Sequence, residues 1–241
     1  MRFVIILLLI TSGIGMDVLI GIALREHYRA ATLVPYEQYY NRYVKETDAP
    51  FDIVVMGDSR IQHGIDTVYL SSACDCSAGN IAVSGATMVT MYYLLRDYLE
   101  VNTPELLVLG VHWSRLVDQK NNGHYPLLLE LLPLGDQREY VATSRDLEFV
   151  AAKASLAYRY RKALPRFMRA GFNPPADDIS VSTTTRDAFT PLHNEFNTRG
   201  DIAFDIHREL GPFDLPLDNA QAEYLRRILE LARAKGVHVV L

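Results

Sequence analysis

The sequence predicts an α/β domain, a three-layer α/β/α sandwich with a mainly parallel sheet, preceded by an N-terminal transmembrane helix. Three observations carry that expectation. Residues 53–56, Ile-Val-Val-Met, form a β-branched apolar run that reads as a strand buried on both faces and ending at Gly57. Two further stretches, Asn-Ile-Ala-Val-Ser-Gly-Ala-Thr at 80–87 and Leu-Leu-Val-Leu-Gly-Val-His-Trp at 106–113, follow at the spacing of successive βα units. Residues 3–24 are almost wholly apolar, and a bilayer needs about 20 such residues.

In chain order, residues 1–25 are read as a membrane anchor, 26–50 as a juxtamembrane linker, and 51–241 as the α/β domain with an insertion at about 114–217. Asp17 is the flaw in the anchor, since an acidic group near mid-span costs on the order of 2.5 to 3.5 kcal/mol on insertion. The surrounding leucines and isoleucines absorb that cost. A cleaved signal peptide is the rival reading, with Gly21-Ile22-Ala23 as its cleavage site, although the apolar region is longer than such peptides carry. Arg2 on one side and Arg25 and Arg29 on the other leave orientation open. Tyr28, Tyr36, Tyr39, Tyr40 and Tyr43 suit either a membrane interface or a packed core.

Beyond the first strand, Gly57 permits a sharp turn and leaves Ser59 at the carboxyl end, where open α/β sheets place their ligands. The alternative is a plain turn with a helix cap, for which Asp58 and Ser59 are equally suited. Residues 60–72 are expected to be helical, which puts His63 on the same face as Ser59. A general base is one reading of it. A residue one turn down the same helix points back along it, however, so His63 is read instead as shaping the pocket or binding substrate, together with Asp58 and Arg60. Residues 86–100 form a helix whose Met88, Met91, Tyr92, Leu95 and Leu99 are a core stripe. Pro104 breaks the chain before the strand at 106–110.

Within the insertion, 146–169 is helical in character and basic on one face, through Arg159, Arg161, Lys162, Arg166 and Arg169. That face is either solvated or a contact for anionic lipid heads or an acidic polysaccharide. Residues 173–185 read as an exposed loop, and His193 and His207 lie nearby. Asp218 is placed as the cap of a helix at 219–235, with Ala222, Leu225, Ile228, Leu229 and Ala232 inward. Gly236 stops it, and the last strand runs to Leu241.

A chain of 241 residues, 49% hydrophobic and 22% charged, suffices for one α/β domain with a sizeable core. Its net charge of −5 and lack of a long basic run argue against nucleic acid as a partner. Cys74 and Cys76, one residue apart, are read as buried or semi-buried thiols, because a bridge between them would close a very tight ring. Neither a Cys-x-x-Cys pair nor a zinc ligand set is present, and no cofactor or metal is expected.

With three blocks in order, the chain resembles the SGNH/GDSL hydrolase superfamily, and most of all its membrane-anchored bacterial branch that acylates or deacylates envelope polysaccharides. The resemblance implies that Ser59 is the nucleophile and that the amides of Ser59 and Gly85 bind the oxyanion. His112 stands where the family has an asparagine donor; an imidazole N–H makes the same hydrogen bond only in the right tautomer. It implies an acyl-ester or polysaccharide substrate, an extracytoplasmic domain and a membrane-bound acyltransferase as candidate partner. The family's Asp-x-x-His block, which carries the general base, is not found after the last strand, and the base is expected beyond Leu241. A non-catalytic domain that binds glycan or scaffolds an acyltransferase is the second reading.

Overall fold

The structure is a computed structural model that describes residues 2–28, 50–112, 116, 126, 128–129, 132–171 and 219–241, with only the backbone of 2–10. Along the chain come α1 (Arg2–Tyr28), β1 (Ile53–Met56), α2 (Ser59–Gly64), α3 (Thr67–Cys74), β2 (Ala78–Asn80), α4 (Met88–Val101) and β3 (Leu106–Leu109). They are followed by α5 (Leu134–Ser144), α6 (Leu147–Ala154), α7 (Leu156–Arg159), a 3-10 turn (Arg161–Ala163), α8 (Leu164–Arg169), α9 (Ala220–Ala234) and β4 (His238–Val240). Tyr36, Tyr39, Tyr40, Tyr43, the loop at 173–185, His193 and His207 lie outside the described residues.

Two compact units result. Among the described residues, 2–28 and 126–171 form one, and 50–112, 116 and 219–241 form the other. The stretch read as an insertion is therefore shared, with 126–171 grouped with the amino-terminal helix.

The second unit is α/β, with four parallel strands in the order β2-β1-β3-β4. β1 has a neighbour on each side, and Val54, Val55 and Met56 are fully buried, which is why that segment is continuously apolar. The helix expected at 60–72 is two helices. Ile65, in extended backbone, ends α2, and the Asp66 carboxylate caps α3 by accepting from the amides of Val68 and Tyr69 at 2.9 and 3.1 Å.

Met88, Met91, Leu95 and Leu99 are buried on α4, as their spacing predicts. α9 packs along it. Its cap is Asn219 and not Asp218: the Asn219 side-chain oxygen accepts from the amides of Gln221 and Ala222. The buried face of α9 is also turned from the one expected, onto Gln221, Tyr224, Ile228 and Ala232. Gln221 Oε1 accepts from the Met88 amide at 3.0 Å, and the Tyr224 and Tyr93 hydroxyls lie 3.4 Å apart. Two polar links thus fasten helices that an apolar count alone would place differently.

The cysteines correct another expectation. Cys74 and Cys76 are joined, with Cα atoms 5.2 Å apart, and Cys74 is exposed. Asp75 between them takes a left-handed backbone (φ 52°, ψ 42°) as the C-cap of α3, and this turn brings the two side chains within bonding reach.

In the first unit, α1 packs against residues 155–167. Leu24, Tyr28, Tyr160 and Ala163 form a small core, against which Leu156 and Phe167 are packed. The Asp17 carboxylate accepts hydrogen bonds from the Ser155 hydroxyl at 2.5 Å and from the amides of Leu156 and Ala157 at 2.9 and 3.3 Å. The acidic residue in the apolar helix therefore completes the start of α7, where amide donors lack helical partners. Among the described residues no helix is long and apolar enough to cross a membrane. The side chains of 2–10, where the sequence is densest in leucine and isoleucine, lie outside them.

Candidate functional site

A parallel sheet sends every strand's carboxyl end to one edge, so all three stretches singled out in the sequence leave β1, β2 and β3 on the same side. From β1 the chain moves to one side for β2 and to the other for β3. The loops after β1 and β3 therefore flank the point where strand order reverses, and open sheets form their ligand crevice there. Ser59 follows β1; Gly110 and His112 follow β3.

Backbone hydrogen bonds stitch these loops together. The Val83 amide donates to the Gly57 carbonyl at 3.0 Å, and the Gly110 amide donates to the Met56 carbonyl at 2.8 Å. Ile61 wedges between the first and third: a Cβ on either Gly57 or Gly110 would collide with its side chain. The two glycines are what allow α2 to lie against the strand ends.

Asp58 caps α2, its carboxylate accepting from the Arg60 amide at 3.0 Å and from the Arg60 guanidinium at 3.2 Å. Asp58 is 4% exposed, whereas the Arg60 side chain is largely in solvent. The capping reading thus holds for Asp58 and leaves Ser59 half-buried as the first helical residue. His63 follows one turn later on α2, and His112 lies just past β3; both are half-buried, and each already has an interaction partner. His238 opens β4 and so stands at the opposite edge of the sheet from Ser59.

The second stretch is shaped by a turn at Val83–Ala86, closed by the Ala86 amide on the Val83 carbonyl at 2.9 Å. Gly85 is its third residue, with φ +74°, a conformation that side chains resist and glycine accepts. Sequence reasoning missed one residue here. Asn80, fully buried at the end of β2, donates from Nδ2 to the carbonyls of Ile61 and Ile65 at 3.2 and 3.3 Å and accepts from the Ala82 amide at 3.0 Å. It ties the second stretch to the helix that begins with Ser59. Its place at a strand's carboxyl end was the available signal.

Ser59 and His63 follow β1, the turn at Val83–Ala86 follows β2 and His112 follows β3, and among the described residues no group of His, Cys, Asp and Glu could hold a metal ion. No family model, curated protein or solved structure matches this chain.

Proposed function

We propose that the chain is a membrane-anchored serine hydrolase or O-acyltransferase of the SGNH type, acting on acyl esters of cell-envelope polysaccharides. The observation that carries this reading is that Ser59 and His112 follow β1 and β3, whose loops flank the reversal point, and that the loop holding Gly85 is hydrogen-bonded to the first of them. Ser59 Oγ attacks the ester carbonyl, and the amides of Ser59 and Gly85 hold the oxyanion, with the His112 N–H as a further donor. The alcohol leaves, and the acyl-serine passes its acyl group to water or to a sugar hydroxyl. A general base takes the serine proton and returns it to the leaving alcohol. Asp58 holds Arg60 at the crevice rim, where Arg60 and His63 contact substrate.

The remaining parts of the reading have their own supports. Right-handed crossovers would set α2 and α3 on one face of the sheet and the packed pair α4 and α9 on the other, a three-layer sandwich. The Cys74–Cys76 bridge suits an oxidising, extracytoplasmic setting. A 27-residue α1 is about 40 Å long at 1.5 Å per residue, which meets the length a bilayer requires, although no described helix also meets the apolar requirement. Leu24, Tyr28 and Asp17 are built into the first unit on both sides of Gly21-Ile22-Ala23, which favours a retained anchor over a cleaved signal peptide.

The test is turnover of an aryl acetate by the full-length protein in membranes. Ser59→Ala is expected to abolish it, and His112→Ala to lower it by about 100- to 1000-fold, with His112→Asn restoring most of the loss. The second reading, a glycan-binding or acyltransferase-scaffolding domain, draws on one observation: among the described residues none accepts a hydrogen bond from the Ser59 hydroxyl. Turnover lost with Ser59→Ala excludes that reading; polysaccharide binding without turnover establishes it.

A further inference from the structure

The proposed enzyme leaves one built feature of the first unit unused. Between α1 and the α6–α7 junction runs an open groove of about 440 Å³, walled by Gly13, Ile14, Val18 and Leu156 and bordered by Lys153 and Arg159. Its lining is mostly apolar, and Lys153 and Arg159 are its cationic members. Asp17 also faces it, but that carboxylate is already taken up by the Ser155 hydroxyl and two amides. Arg159 is oriented by donating to the carbonyls of Ala152 and Lys153 at the end of α6. Lys153 is exposed beside it.

Charge selects the occupant. Residues 146–169 hold six basic and two acidic side chains in a chain whose net charge is −5, so positive charge is concentrated on the segment that packs against the most apolar helix. On α8 of the same segment, Leu164 and Met168 are exposed at helical spacing beside Arg166 and Arg169. Apolar contact with adjacent cations matches a lipid whose phosphate sits above its acyl chains.

We propose that this groove binds an anionic phospholipid, its phosphate held by Lys153 and Arg159 and an acyl chain lying along Gly13, Ile14 and Val18. The site rests on the reading of α1 as membrane-inserted and adds a lipid preference to it. Gly13 is central to that fit: among the described residues nothing lies within 4 Å of where its Cβ would be, so a larger side chain there would fill the groove. The volume falls within the roughly 300 to 1,000 Å³ of sites that enclose small ligands.

The experiment is native mass spectrometry of the full-length protein in detergent with equimolar phosphatidylglycerol and phosphatidylcholine. The wild type is expected to retain phosphatidylglycerol about tenfold over phosphatidylcholine, whose phosphate charge is offset by its own choline cation before Lys153 and Arg159 reach it. Lys153→Gln should reduce that ratio severalfold and Lys153→Arg preserve it, while Gly13→Leu, which favours the helix, should lower retention of both lipids. Equal retention of the two lipids by the wild type, or full retention by Gly13→Leu, overturns the proposal. Alkaline extraction of native membranes is read in parallel. A protein that resists extraction but shows no lipid preference has an anchor without this site; one that is extracted loses the anchor and the site together.

Discussion

Ile61 fills the space that side chains at Gly57 and Gly110 would need, so one isoleucine and two glycines set how closely the Ser59 helix approaches the sheet. Gly110→Ala is therefore predicted to push α2 outward, at a cost of about 1 to 3 kcal/mol from overpacking, with lower turnover. Ile61→Ala in the same chain should recover part of the stability, which a double-mutant cycle by denaturant unfolding would measure. This contact was not legible in the sequence, where each glycine reads only as the end of its own strand. Asn80 was hidden for a similar reason. A carboxamide that gathers carbonyls from 15 and 19 residues upstream has no periodic signature. The position of Ser59 just past β1 was legible, because a glycine turn after a buried apolar strand leaves the following residues at the sheet's carboxyl edge. The Cys74–Cys76 bridge was misread because the left-handed backbone at Asp75 that permits it is atypical for a residue other than glycine.

At the scale of elements, β1 and β3 were the most readable parts, since strands inside a parallel sheet are apolar runs such as those at 53–56 and 106–109. Helix faces were less so. α9 turns Gln221 and Tyr224 inward because their polar ends have partners on α4, and those partners are distant in sequence. Its outward face carries a charge cluster with a measurable consequence. Hydrogen bonds from Arg226 and Arg227 pull the Glu223 carboxyl down to about 2 from its ordinary 4.5. A depressed value in the folded state means the ionised form stabilises the fold. The contribution is full above about pH 4.5 and fades as pH falls towards 2. Glu223→Gln should flatten the stability profile across that window, followed by thermal unfolding at stepped pH. The difference should be no more than about 1 kcal/mol, because the group is partly in solvent and screened.

For the whole molecule, the division into two units was the least legible feature. Residues 126–171 group with the amino-terminal helix, and the pairing depends on Asp17, which in the sequence reads only as a cost to membrane insertion. Asp17→Leu makes that helix more apolar yet strips Ser155, Leu156 and Ala157 of their acceptor. The variant is predicted to resist alkaline extraction from membranes as well as the wild type does. Trypsin should nonetheless cut faster at Arg159 and Arg161, as the start of α7 loosens. Equal cutting rates would show that the hydrogen bonds do not hold the unit together.

The sheet unit carries the chemistry proposed for the molecule, and that proposal stands on Ser59. The most direct measurement is labelling of the full-length protein in native membranes by a fluorophosphonate probe, with the modified peptide identified by mass spectrometry. The account predicts a single adduct on Ser59 that disappears in Ser59→Ala. An adduct that persists in that variant, or a folded wild-type protein that takes up no probe, would contradict it.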